Sequence, residues 1–241
     1  MTGPALLVAD LGRRPYGEVL ELQRRLCRAR QSGALRDDLL LLVEHDPVVT
    51  LGRGTKETSL PLPPEAIERR GVEVFEVERG GDVTFHGPGQ LVGYPILDLT
   101  HHRQDLHWYL RAVEGALIEA LASLGIEAGR WEGLTGVWTG GRKIASIGIH
   151  VKQWVTFHGF ALNVSTDLDY FDLIVPCGIE GVTMTSVRRE LGGAAPQDLG
   201  DRVRSAVVSA FGRVFQRDPR PARPDEWNLP TPTGVQEATH P

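Results

Sequence analysis

Cysteine is nearly absent. The 241-residue chain holds two, Cys27 and Cys177, in unrelated contexts. Two isolated thiols supply neither a disulfide framework nor the paired spacing of a structural zinc site, which suits a reducing cytoplasm. Long apolar runs are missing too. The longest, Leu39–Val43, is far short of the roughly 20 residues that cross a bilayer. The N-terminus has no basic segment leading into an apolar one, so no signal peptide is read there. There is no basic excess: 26 Lys and Arg stand against 31 Asp and Glu, for a net charge of −5. That balance excludes a general attraction to nucleic acid or to anionic lipid. No internal repeat is visible.

What is present is an ordinary globular composition, 41% hydrophobic and 24% charged, enough for a real core. Ala5–Ala9 reads as a strand and Pro15–Gln31 as a helix, with Val19, Leu22 and Leu26 at helical spacing. Cys27 falls beside that stripe and reads as a small core residue. Arg24, Arg25, Arg28 and Arg30 read as a solvated face. Leu39–Glu44, Val48–Leu51 and Val72–Val77 read as strands, with a short helix over Pro63–Arg70. Leu91–Leu99 is a further strand. Leu106–Leu124 is the most regular helical pattern, ended by Gly125 in the place of a C-cap glycine. Val137-Trp138 and Ile144–Val151 read as strands, Trp154–Val164 as a hairpin partner, Leu168–Ile174 as a helical turn, and Pro196–Phe215 as a second amphipathic helix. Residues 1–218 therefore read as one catalytic-sized domain. Pro219–Pro241 is proline-rich and aperiodic, and reads as an extended or disordered tail. The fold class is α/β of the α+β type: a mixed sheet with helices packed on it.

Three segments carry chemistry. Arg79 to Gln90 holds four glycines, a proline, an arginine and a histidine in twelve positions. Such a run bends tightly and exposes backbone N–H groups beside a guanidinium and an imidazole. Gly140 to His150 places Lys143 at the mouth of an apolar strand. Val175 to Ile179 holds Cys177 between Pro176 and Gly178, outside any periodic apolar face. A thiol is a nucleophile only as thiolate, so a catalytic Cys177 needs a neighbouring cation: Lys143, Arg79 or His86. Ser146, Gly148, Gly159 and Ala161 are small residues on strands; they leave either a channel for an alkyl chain or a β-bulge with tight packing. His150 and His158 read as polar strand residues, with no third ligand at metal spacing.

Arg79-Gly80-Gly81 with Thr84, His86-Gly87-Pro88-Gly89-Gln90, Arg142-Lys143-Ile144-Ala145 with Gly148, His158 to Asn163, and Pro176-Cys177-Gly178-Ile179 occur in this order. Together they closely resemble the octanoyltransferases of lipoate synthesis, over about Leu6 to Phe215. The resemblance implies the mixed-sheet fold of the biotin and lipoate protein ligase catalytic domain. It implies transfer of an octanoyl group from acyl carrier protein to a lysine on lipoyl domains of 2-oxoacid dehydrogenase complexes and the glycine cleavage H protein, with no cofactor and no metal. The family's nucleophile falls on Cys177, and the lysine that lowers its pKa and accepts a proton on Lys143. Its acyl-substrate contacts fall on Arg79, Gly80, Gly81, Asp82, Val83, Thr84, Phe85 and His86, then on Ser146, Ile147 and Gly148, then on Gly159, Phe160 and Ala161. Because carrier proteins are acidic and this chain is net negative, a local basic patch is expected among Arg53, Lys56, Arg142 and Lys152. The rival readings are an ATP-dependent lipoate–protein ligase of the same fold, a cysteine hydrolase pairing Cys177 with His86 or His158, and a module that only docks lipoyl domains.

Overall fold

The structure is a computed structural model that describes residues 4–175, 181–223 and 227. Its centre is an eight-stranded mixed sheet. β1 (Ala5–Arg14) and β2 (Asp38–His45) pair in parallel, and β6 (Gln90–Ile96) joins β2 antiparallel. β10 (Val155–Asn163), β9 (Arg142–Lys152), β8 (Leu134–Thr139) and β7 (Gly129–Trp131) follow, each antiparallel to the last. A second, three-stranded sheet joins β4 (Glu73–Glu76), β3 (Val48–Leu51) and β5 (Val83–His86).

Strand β2 shows why its sequence is continuously apolar. Leu40 and Leu42 pack against α3 (Leu106–Ser123) and α5 (Leu199–Phe215) on one face. Leu39, Leu41 and Val43 pack against α1 (Tyr16–Gln31) on the other. With both faces covered, the period-2 alternation of side chains leaves no polar position. Helix α3 begins at Asp105, whose carboxylate accepts from Trp108 N at 3.0 Å, and ends before Gly125 at φ +83°. The short α2 (Pro64–Glu68) and α4 (Val187–Leu191) cover the smaller sheet and the end of β9 respectively.

The elements expected from the sequence recur with shifted ends, β1, β2, β8 and β9 longer and β4, β6 and β10 shorter than expected, and two readings need correction. The proline-rich stretch does not begin as a tail. Asp218–Pro221 forms β11, parallel to the edge of β1. Asp218 N and Ala222 N donate to Pro4 O and Val8 O. Pro219 and Pro221 occupy the alternate positions, where an edge strand needs no donor. Trp227 is 6% exposed and joins the α1-side core. The arginines of α1 are not a uniformly solvated face either. Arg30 is buried on Asp38 at 3.1 Å, and Arg24 reaches Glu78 at 2.9 Å. Asp38 also receives His102 at 2.7 Å and Arg217 at 2.9 Å, so one buried carboxylate ties α1, the α3 entry and the start of β11 together.

The β9–β10 hairpin turns at Gln153 and Trp154, both left-handed, at φ +50° and +63°. That is the backbone a two-residue turn between twisted strands demands, here met without glycine. Further along β10, His158 takes φ +55°. It lies opposite the point where β6 carries Pro95, which has no N–H to give a neighbouring strand. The Thr156 hydroxyl bridges the gap, donating to Pro95 O at 2.7 Å and accepting from Leu97 N at 2.9 Å.

Candidate active site

A cavity of about 200 Å³ opens between the large sheet and the glycine loop, on the α1 side of β9 and β10. Of the first predicted group, Arg79, Gly81, Asp82, Val83, Thr84 and His86 line it. Gly80 and Phe85 do not. Gly80 N donates to Ile149 O at 2.8 Å, which fastens the loop to β9. Phe85 stacks on Tyr170 with centroids 4.7 Å apart, beneath the loop. Ser146, Ile147, Gly148, Gly159, Phe160 and Ala161 all line the cavity, together with Lys143.

The Arg79 guanidinium is turned inward. It donates to Thr50 O at 2.6 Å, Thr50 Oγ1 at 2.8 Å and Asp82 O at 2.7 Å, and the residue is 6% exposed. Its cation closes the loop on itself, while its methylenes reach the wall: a Cβ on Gly148 would sit 3.0 Å from Arg79 Cδ. The neighbouring Gly52 is equally constrained, because a Cβ there would meet Gly81 O at 2.4 Å. Gly159 is glycine for a similar reason. A Cβ on it would lie 2.1 Å from Gly93 O and 2.7 Å from Pro95 Cδ, so the close approach of the β6 backbone demands glycine here, on a residue that also lines the cavity.

Lys143 is 2% exposed at the entrance to β9. Its N–H donates to Thr183 O and its carbonyl accepts from Thr185 N, both at 2.9 Å. Nζ stands 5.4 Å from the Trp138 ring centroid. The side chain crosses Gly136, where a Cβ would lie 2.7 Å from Lys143 Cε. Cys177 lies outside the described residues, as does all of 176–180. The residues on either side are anchored at the cavity. Val175 N donates to Ser59 O, and Ser59 Oγ donates to Asp82 Oδ2 at 2.7 Å. On the other side, Thr183 and Thr185 hold the Lys143 backbone.

A buried polar network runs from the loop to that lysine strand. Gln90 Nε2 donates to Phe85 O at 3.1 Å and to Asn163 Oδ1 at 3.0 Å. Its Oε1 therefore accepts from His86 Nδ1, at 2.8 Å. Burial pushes His86 down to about 3, so the ring is neutral and Nε2 is its acceptor. Asn163 Nδ2 donates in turn to Thr185 O at 3.0 Å. Beside His86, burial also pushes His45 down to about 4; His45 Nε2 bonds the Tyr94 hydroxyl at 2.7 Å.

Sequence reading missed Val92, Tyr94, residues 133–135 and His158, which complete the lining. Of the cations expected to form a basic patch, Arg142 is held by Glu190 at 2.9 Å, whereas Arg53 and Lys152 share a groove with Arg28 outside the loop. Among the described residues, no three His, Cys, Asp or Glu side chains gather as a metal site.

Residues 15–212 match the lipoyl protein ligase A/B catalytic domain family. A protein from Gloeobacter violaceus named octanoyltransferase is 50% identical, over 87% of this chain and 90% of its own length. One of the same name from Solibacter usitatus is 50% identical, over 86% and 91%. Among solved structures, lipoate-protein ligase A bound with ATP aligns with a TM-score of 0.69 at 20% identity, covering 95% of this chain and 92% of that one. A bi-partite lipoate protein ligase from Thermoplasma acidophilum aligns at 0.71 with 19% identity, covering 94% and 91%. At such identities the structural likeness speaks to fold alone, and it agrees with the mixed sheet expected from sequence. The sequence relatives speak to more: the chain belongs to the lipoyl protein ligase A/B catalytic domain family, among its octanoyltransferases, and is an acyltransferase.

Proposed function

We propose that the protein moves an octanoyl group from acyl carrier protein, through a thioester on Cys177, to the lysine side chain of a lipoyl domain, including those of 2-oxoacid dehydrogenase complexes and the glycine cleavage H protein. The observation that carries this reading is the buried Lys143 at one end of a cavity walled by small and apolar residues, its backbone held by the residues that follow segment 176–180. Chain geometry supports it as well. Val175, two positions before Cys177 in the sequence, is tied to the cavity through Ser59.

The chemistry runs in two balanced steps. The Cys177 thiolate attacks the carbonyl carbon of the carrier thioester, and the carrier sulfur leaves and takes a proton from the Lys143 ammonium, which is left as the neutral amine. One thioester replaces another, so little driving force is required. The acceptor amine then attacks the acyl-enzyme. It enters as an ammonium and gives up a proton, for which Lys143 is the acceptor, and the Cys177 sulfur leaves. The amide is more stable than the thioester, which draws the sequence forward. An ammonium close to the thiol favours thiolate by charge attraction.

The test is intact-protein mass spectrometry after mixing with octanoyl-acyl carrier protein and no ATP, wild type beside Cys177→Ser. One octanoyl adduct on wild type, discharged by a lipoyl domain and absent from the variant, is expected. Activity that appears only with ATP and a free acid would move the assignment to a ligase. Free octanoate released with no acceptor would move it to a hydrolase.

A further inference from the structure

The Lys143 end of the cavity lies beside a short helix whose outer face is basic. Residues 183–185 run alongside Lys143, whose N–H donates to Thr183 O and whose carbonyl accepts from Thr185 N, both at 2.9 Å. Helix α4 (Val187–Leu191) starts two positions later. Its inner face is fixed. Val187 is fully buried in the core that α3 and α5 share, Arg188 N donates to Val164 O at 2.8 Å, and Ser186 Oγ accepts from Arg189 N at 3.3 Å. With that face held, Arg188 and Arg189 stand exposed. Neither forms an ion pair with a carboxylate among the described residues. The carboxylate of the helix, Glu190, is already engaged. Arg142 donates to its two oxygens at 3.1 and 2.9 Å, and the Thr185 hydroxyl donates to Oε1. On α4 and the first residue of β9, three guanidinium groups therefore stand against one carboxylate. Glu127 lines the neighbouring cleft with Glu190, a cleft that neither Arg188 nor Arg189 lines.

The chain as a whole carries a net charge of −5, so a basic surface beside the reacting lysine is a local departure from the protein's own field. We propose that Arg188 and Arg189 of α4, with Arg142, form the docking surface for the acidic carrier protein that donates the acyl group. The proposal rests on the acyl-transfer reading of the cavity. A second cationic surface exists, the groove that Arg28, Arg53 and Lys152 share. Distance decides between the two. Lys152 ends β9 nine residues beyond Lys143, about 30 Å away at the rise of an extended strand. Arg188 and Arg189 follow Thr185, the hydrogen-bonded neighbour of Lys143, by three and four residues, and a helix advances only about 1.5 Å per residue. The donor thioester has to reach the Lys143 end while the body of the carrier stays outside. A carrier seated on α4 has the short route, and one seated at Lys152 does not. The side chains suit the task, because a planar guanidinium matches a carboxylate with two parallel hydrogen bonds. Exposed charges of this kind add little affinity. They raise the rate of encounter, and salt weakens them.

The test follows single-turnover formation of the octanoyl adduct on the whole chain from two donors. One is octanoyl-acyl carrier protein; the other is octanoyl-pantetheine, which offers the same thioester without a protein. Replacing both arginines, Arg188→Glu with Arg189→Glu, should slow the second-order rate with the carrier by about tenfold or more at low salt, and flatten its decline with added sodium chloride. The rate with octanoyl-pantetheine should stay at the wild-type value. Lys152→Glu should leave both rates unchanged. If circular dichroism shows that the double variant does not fold, the two single variants carry the comparison. An unchanged rate and salt dependence with the carrier overturns the docking surface. Equal losses with both donors overturn it too, because the substitutions would then act on the Lys143 end itself. A larger loss in Lys152→Glu moves the carrier to the other groove, and a loss confined to discharge onto a lipoyl domain gives the surface to the acceptor; either result overturns the proposal. A wild type that takes octanoyl from neither donor overturns the acyl-transfer reading, and the docking surface with it.

Discussion

Arg79 Nη2 donates to the carbonyl and to the hydroxyl of one residue, Thr50, at 2.6 and 2.8 Å. The sequence sets this guanidinium in a glycine-rich loop beside exposed backbone N–H groups, yet it is folded under that loop, joining β3 to the turn before β5. Lys cannot reproduce this fork, having one compact cation in place of a planar set of donors. Arg79→Lys should lower unfolding stability by about 2–4 kcal/mol, as buried carbonyls lose their donors. Urea denaturation measures it. A loss of transfer rate with no change in midpoint would show instead that the cation acts on substrate.

The two strand glycines of the cavity should separate on alanine substitution. Gly159→Ala drives a methyl into the Gly93 carbonyl, where the contact would be 2.1 Å with backbone that cannot yield. Gly148→Ala meets Arg79 Cδ and Gly80 O at 3.0 Å, a few tenths of an ångström too close, against a loop that can shift. Thermal melts should place Gly159→Ala far below wild type, with a cost of about 3 kcal/mol or more. Gly148→Ala should fold and bind acyl chains more weakly. Equal melting temperatures for the two variants would contradict the close approach of the Gly93 carbonyl to Gly159.

Acid should destabilise the protein before its carboxylates titrate. His45 and His86 are neutral in the fold because burial depresses them to about 4 and about 3, below the usual imidazole value. Between pH 6.5 and pH 4 the unfolded chain therefore binds more protons than the folded one. Their contribution is fully present above pH 6.5 and is lost as pH falls through that window. A decline on the order of 5 kcal/mol between pH 7 and pH 4.5 is expected from two such groups. Urea midpoints at pH 7, 5.5 and 4.5 would record it. His45→Gln should flatten the profile, and a flat wild-type profile would refute the buried-neutral assignment.

Cys27 makes thiol chemistry at Cys177 readable. Burial pushes the Cys27 thiol up to about 11, so it is inert to alkylation near neutral pH. In wild type, iodoacetamide should modify one site, Cys177, with a rate that levels off as pH rises. In Lys143→Met the apparent pKa of that rate should rise by about 1 unit or more, since the neighbouring cation is gone. An unchanged pH–rate profile would end the proposed pairing of Cys177 with Lys143.

The C-terminal stretch should matter to stability. Trp227 is 6% exposed against the α1-side core, and β11 covers the edge of β1. Trp227→Ala should cost about 3 kcal/mol, as for other large-to-small changes in a core. Truncation after residue 218 should cost at least as much. Guanidinium titration of both would decide it, and wild-type stability in either would return the segment to the status of a tail.

Much of the fold was legible because burial writes itself into period. The five-residue run Leu39–Val43 could only be a strand covered on both faces, and the three-and-four spacing of α3 could only be a helix. The loop from Arg79 to Gln90 declared itself through glycine and proline, which restrict the backbone whatever surrounds them. Pro219 and Pro221 misled because proline argues against a strand in general, while an edge strand that donates only from alternate residues accepts it. Gln153 and Trp154 gave no sign of a left-handed turn, since neither is a residue that prefers one.

By itself the sequence determined most of the strand and helix inventory, though not β7 or β11, the position of the reactive residues along the chain and the family they resemble, because local backbone restriction and side-chain period are carried by neighbouring residues. Only the tertiary structure decided that Arg79 turns inward, that Gly159 faces the Gly93 carbonyl, and that Gln23 meets His158 across 135 positions of chain. Those relationships depend on which strands pair and in what register. Pairing is set by the summed packing of both faces of the sheet, a property that no short stretch of sequence contains.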